Sequence, residues 1–302
     1  MHALLASIPS PSGGVVELGP ITIRAYGVML LLGIVSAFWL TTRRWRAMGG
    51  DPDLVLKAGL WGVGAGIVGA RLYHVVTSWD EVPDEWWGVF AVWKGGLGVW
   101  GGVAAGVAAG LYVVKRSGAS VLLAMDACAP GILLAQGIGR WGNYFNQELF
   151  GTPTSLPWGL EIDPENRPGS YPDAETFHPI FLYEFIWDMI GVAALVWLGR
   201  RFRLRAPAIF SLYVMWYCLA RATFEESLRT DPSHEIAGLR LNHWVSIGLL
   251  LVAAAGLRWA WRNGVLPGPT AARGEPAAPR APAVAPSGKQ MSVPKSRVRK
   301  RR

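Results

Sequence analysis

Charge is scarce in this chain: 17% of its 302 residues are Asp, Glu, Lys or Arg, against about 25% in an average soluble domain. That shortage excludes an ordinary water-solvated surface. Cysteine is rarer, with Cys128 and Cys218 each inside an apolar run and no CxxC or Cys/His spacing near either. Metal-type ligand spacing is therefore missing, and both thiols read as small core residues. The first twenty-two residues lack the basic start and compact apolar segment of a cleavable secretory signal, so the N-terminus is expected to stay on the mature protein. Repeats at solenoid spacing are absent, as is a pairing of halves of the inverted-repeat transporter kind.

What is present is apolar sequence, 51% of the chain, in runs near the roughly 20 residues that carry a helix across a hydrocarbon core. Seven candidate spans cover roughly 23–42, 58–78, 97–115, 121–139, 180–199, 207–224 and 244–261. The fold class expected is an all-α integral membrane protein. Alternating the connecting segments gathers Arg43, Arg44, Arg46, Lys57, Lys115, Arg116, Arg200, Arg201, Arg203 and Arg205 on one side, with the basic C-terminal tail. By the positive-inside rule that side is cytoplasmic, and the N-terminus is outside. The outer side then carries Asp80, Glu81, Asp84 and Glu85, and a long insert of about 140–179 between spans four and five. Trp79, Trp86, Trp87, Trp93 and Trp244 mark the outer interface. The net charge of +8 follows from this topology rather than from nucleic-acid binding. Gly62, Gly64, Gly66 and Gly69, with Gly101, Gly102, Gly106 and Gly110, read as packing faces of spans two and three. Two domains follow: a membrane domain over 1–262, and a basic tail over 263–302 whose Pro, Ala, Ser and Gly cannot bury a core.

An ionisable side chain at mid-bilayer costs about 2.5–3.5 kcal/mol on insertion scales, so each one in a span needs a reason. Arg71, with His74 one turn on, lies toward the outer end of span two; snorkelling and ligand binding both fit. Gly137 to Gly151 supplies a cation, Arg140, two amides, Asn143 and Asn146, and a carboxylate, Glu148, among turn glycines. Such a set suits a phosphate headgroup, although a polar helix end would look similar. His178 and Pro179 open span five, which then buries Glu184 and Asp188 on one stripe, and two carboxylates inside a membrane helix need partners. Arg221 and Glu225 stand four residues apart at the outer end of span six, where a local ion pair is the plainer reading. Arg71, Arg140 and Arg221 thus converge on one leaflet, and arginine presents a fork of donors matched to phosphate oxygens.

The stretch Gly139 to Gly151, with Arg140, Asn143, Asn146 and Glu148, resembles the signature of the prolipoprotein diacylglyceryl transferases. The resemblance extends to Arg24-Ala25-Tyr26-Gly27, Gly69-Ala70-Arg71, Lys94-Gly95-Gly96, His178 to Glu184 and Arg221 to Glu225. It implies a seven-helix bundle in the bacterial cytoplasmic membrane with a periplasmic head, and it implies no metal or other cofactor. The reaction implied moves the diacylglyceryl group of phosphatidylglycerol onto the lipobox cysteine of a prolipoprotein signal peptide, releasing glycerol phosphate. Membrane lipid and signal peptides are then the partners. On this resemblance Arg140 and Arg221 stabilise the departing phosphate, with Glu148 and Glu225 as the available proton acceptors. Tyr26, Arg71, Arg140, Asn143, Asn146, Gly151, His178 and Tyr183 are expected to hold the lipid. One position departs from the pattern: where family members often carry histidine before Gly101-Gly102, this chain has Trp100, which cannot act as a base. A phospholipid transporter or scramblase would gather arginines at one leaflet in the same way.

Overall fold

The computed structural model describes residues 7–11, 13–18, 21–83, 85, 87–92, 95–225, 228–230 and 235–268. A short antiparallel hairpin, β1 (Val15–Leu18) and β2 (Ile21–Arg24), leads straight into α1 (Ala25–Ala47). Arg44 and Arg46 fill the last turn of α1, where cations offset the unpaired carbonyls. Helix α2 (Pro52–Thr77) opens on Asp51, whose carboxylate accepts the Asp53 N–H at 3.0 Å, with proline at its first position. A loop with two 3-10 turns leads to α3 (Val99–Arg116), and α4 (Val121–Asn146) follows under a Ser120 cap. The segment after α4 carries a second hairpin, β3 (Leu160–Glu161) and β4 (Thr176–Phe177), before α5 (Ile180–Arg201). Helix α6 (Ala208–Ala220) runs on into a π-turn at Arg221–Glu225. A third hairpin, β5 (Glu235–Ile236) and β6 (Leu239–Arg240), enters α7 (Leu241–Asn263).

Five of these helices, α1, α2, α4, α5 and α7, are long and apolar enough to cross a membrane. The other two expected spans exist as helices but are shorter. Helix α3 has 18 residues and ends in Lys115 and Arg116, and the 13 regular residues of α6 give way to the wider π hydrogen bonding at Arg221. Two boundaries move for physical reasons. Helix α2 begins at Pro52 rather than near 58 because the Asp51–Pro52 cap starts it inside polar sequence. Helix α4 continues to Asn146 because its polar last turns find partners, so the insert begins at Gln147, whose left-handed φ of 50° ends the helix.

Helices pair as α1 with α4, α2 with α3, α4 with α5, and α6 with α7. The α2–α3 seam is glycine on glycine: a Cβ at Gly66 would lie 3.3 Å from the Gly102 oxygen, and one at Gly62 the same distance from Gly106. At the end bearing the basic residues, Arg44 is buried and donates to the Asp126 and Ala127 carbonyls at 3.2 Å each. Asp126, 3% exposed, accepts the Phe210 N–H at 2.8 Å and so caps α6 from a neighbouring helix. At the opposite end the insert has its own small core of Phe150, Leu160, Ile162, Phe177 and Phe181, with Ile8 packed against it. Trp79 and Trp244 are exposed there, while Asp84, Trp86, Trp93 and Lys94 lie outside the described residues, as does the tail from 269 onward.

Candidate active site

Contacts between helices fix which residues share a depth. Gly137 of α4 stands against Asp188 of α5, a Cβ there falling 3.1 Å from Asp188 Cβ. Trp187 of α5 and Trp216 of α6 stack at 4.3 Å, and each indole N–H donates to the other's carbonyl, at 3.2 and 3.1 Å. Gly142 faces the Tyr26 ring, with 2.6 Å to Cδ2 from an added Cβ. Following equal rises from these contacts, Tyr26, Arg140, Asn143, Glu184 and Arg221 lie within about one to two helical turns of the same depth, near the insert.

Within that layer Arg140 Nε forms an ion pair with the Glu184 carboxylate, across the α4–α5 interface. Both are largely buried, with side chains 17% and 6% exposed. Glu184 was legible as a buried carboxylate in need of a partner, but its partnership with Arg140 was not. The next polar group is one turn along α4. Asn143, buried, donates through Nδ2 to Glu148 Oε1 at 2.8 Å, and Asn146 reaches the same oxygen at 3.4 Å. The turn that presents Glu148 is fixed by Gln147, which was not singled out in sequence. Its amide donates to Asp163 Oδ2 at 2.6 Å and accepts the Asp163 N–H at 2.9 Å. Leu149 takes φ of 55° in the same turn, a conformation that non-glycine residues keep only under such constraint.

Gly151 ties three elements together. Its N–H donates to the His178 carbonyl at 2.9 Å, it bridges to Arg229 beyond the π-turn, and Thr152 N–H donates to the Leu228 carbonyl at 2.7 Å. A Cβ here would stand 2.7 Å from His178 Cβ and 3.2 Å from the Leu228 oxygen. His178 faces Tyr183, Nδ1 to Oη 3.2 Å, and Trp158 Nε1 donates to the same hydroxyl at 3.0 Å. Burial pushes the His178 imidazole below its ordinary pKa, favouring the neutral ring.

Arg71 has a different set of partners. It is 5% exposed, and its guanidinium donates to four backbone carbonyls of the α2–α3 loop: Gly88 at 2.6 Å, Gly95 at 2.8 Å, Val89 at 2.9 Å and Gly96 at 3.0 Å. Gly95 and Gly96 both have positive φ, which turns their carbonyls toward it. Trp100, just beyond, is 73% exposed. The side chain of Glu225 lies outside the described residues, although its backbone closes the π-turn.

A buried arginine held by a carboxylate from the next helix, beside an amide cluster at the end of apolar helices, is an arrangement able to receive a phosphate at headgroup depth. A family model described as prolipoprotein diacylglyceryl transferase matches residues 14–259. Phosphatidylglycerol–prolipoprotein diacylglyceryl transferase 2 of Streptomyces coelicolor is 49% identical over 259 residues, covering 83% of this chain and 80% of the relative. The enzyme of that name from Streptomyces griseus is 47% identical over 253 residues, covering 82% and 76%. The one from Bifidobacterium adolescentis is 43% identical over 263 residues, covering 82% and 78%. The chain belongs to the prolipoprotein diacylglyceryl transferase family.

Proposed function

We propose that this protein transfers the diacylglyceryl group of phosphatidylglycerol to the thiol of a prolipoprotein's lipobox cysteine. The thiolate attacks the glycerol carbon that carries the phosphate, the carbon–oxygen bond breaks, and the electron pair leaves on a phosphate oxygen as glycerol phosphate. Charge builds on that oxygen as the bond opens. Arg140 and Arg221 stabilise it in a site poor in water, where such an interaction is stronger than in bulk. Asn143, Asn146 and Tyr26 position the lipid; Gly151, His178 and Tyr183 form the adjoining wall. Arg71 has at most one of its five N–H donors left for a phosphate oxygen, so its part is chiefly to hold the loop ahead of α3.

The reading includes a topology. All seven helices cross the cytoplasmic membrane, with the insert outside and the basic residues and tail inside. The α3 and α6 crossings are completed by their neighbours, α2 and α7. The 1–262 segment is the catalytic domain, and the tail from 263 is a separate basic extension.

The single observation that carries the mechanism is the Arg140–Glu184 pair at the end of α4. Purified protein in detergent, given phosphatidylglycerol and a lipobox peptide, should add one diacylglyceryl mass to the peptide and release glycerol phosphate. Arg140→Ala should do neither. An unmodified peptide beside wild-type protein that moves labelled lipid between leaflets of a vesicle would replace this reading with a transporter.

A further inference from the structure

The thiol must lose a proton before it attacks; of the two carboxylates first expected to take it, Glu148 is held by amides and the Glu225 side chain lies outside the described residues. Trp100 has no basic atom. Glu148 Oε1 is shared by two amide donors, and Glu184 is paired with Arg140. Among the described histidines, His74 Nε2 lies 3.8 Å from Glu81 and His178 Nδ1 lies against the Tyr183 hydroxyl. His243 differs. Its Nδ1 is buried and has no hydrogen-bond partner among the described residues. An orphaned polar atom of this kind calls for an explanation.

Its place in the fold supplies one. The buried face of α7 runs through Ser246, Ala253 and Ala260, and His243 sits three residues before Ser246 on that same face. Helix α7 packs against both α6 and the π-turn. Gly256 of α7 stands opposite Ser211 of α6, an added Cβ lying 3.0 Å from Ser211 Oγ. Counting equal rises back along these antiparallel helices brings His243 level with the Arg221–Glu225 π-turn. Such turns widen a helix locally and recur at functional sites. Arg221 opens the π-turn, Arg229 follows it, and Arg240 ends the strand that leads into α7.

We infer that His243 accepts the proton of the incoming lipobox thiol, the task left vacant by Trp100. This rests on the transferase reading. Nδ1 takes the S–H proton, sulfur bonds to the glycerol carbon, the carbon–oxygen bond breaks toward phosphate, and the proton returns to the departing glycerol phosphate or to water. Imidazole is the side chain suited to gain and lose a proton near neutral pH.

The test compares wild type, His243→Gln and His243→Asn with two lipobox peptides, one carrying cysteine and one selenocysteine. A selenol ionises without help at neutral pH. The asparagine variant keeps a polar atom near the Nδ1 position, which guards against a fold that fails. The expected result is a fall in kcat of about 10²-fold or more with the cysteine peptide, the usual scale of general-base catalysis. The KM for phosphatidylglycerol should be unchanged, and most of the rate should return with selenocysteine. Equal loss with both peptides would make His243 a packing residue and overturn the inference, as would full activity of both variants with cysteine. Wild type that modifies neither peptide would overturn the transferase reading itself.

Discussion

Replacing Glu184 by glutamine tests whether the α4–α5 ion pair holds the candidate site together. The pair joins side chains 17% and 6% exposed, so either single substitution takes one charge from the pair in a setting with little water. Removing one partner of a buried pair costs about 3–5 kcal/mol, whereas neutral hydrogen bonds between membrane helices average about 0.6 kcal/mol. The doubly substituted protein, Arg140→Gln with Glu184→Gln, removes both charges of the pair together. A coupling of about 3 kcal/mol is therefore expected. At about 2–4 °C per kcal/mol for a domain of this size, the double variant should melt about 6–12 °C above the value that summed single effects give. The 16 tryptophans make intrinsic fluorescence in detergent a direct readout at one fixed scan rate. Single effects that add to within about 0.5 kcal/mol would refute the pairing as an energetic unit.

Arg71→Lys should loosen the α2–α3 loop. Lysine has three donors on one nitrogen where four carbonyls now converge on a planar fork. Hydrogen exchange should quicken between α2 and α3 while amides of α4 and α5 keep their protection, and an unchanged loop would contradict the staple. A second prediction concerns acid. Burial lowers the folded-state pKa of His178, so between that value and the ordinary value of about 6.5 the unfolded chain binds the extra proton. The stability His178 contributes is fully present above about 6.5 and is lost as pH falls through the folded value. The melting temperature of wild type should drop over that window, and His178→Asn should flatten the drop; identical slopes would remove His178 as the cause.

Helix positions were legible because a run of apolar residues near span length has few alternatives, and α1, α5 and α7 fall where hydropathy put them. Polar residues were harder to read, because what they do depends on a neighbour that sequence distance conceals. Arg140 looked like the edge of an insert, yet Glu184 of α5 lets α4 carry it as helix and continue to Asn146. Arg71 could be read as snorkelling or as binding a headgroup, and nothing in the sequence pointed to the four carbonyls, 17 to 25 residues on, that its fork meets. Asp126 was not singled out at all, since nothing local shows that the N-terminus of α6 will come to it. The π-turn has no sequence signature either. His243 falls just before the expected last span of 244–261, and the α6–α7 register that brings it level with the π-turn exists only in the folded bundle.

The depth of the candidate site follows from the same electrostatics. A lone arginine this far into apolar helices would be expensive before any lipid arrived, and Glu184 offsets most of that charge. On the proposed function, Arg140 and Arg221 are the cations that a phosphate diester would meet on entry. On that reading glycerol phosphate gains a second negative charge as it leaves, and the attraction of Arg140 for the phosphate grows with it. An interaction that grows only as the bond breaks raises kcat rather than affinity. On the proposed function, Glu184 therefore acts as the group that offsets the charge of Arg140 in the resting protein and fixes its orientation.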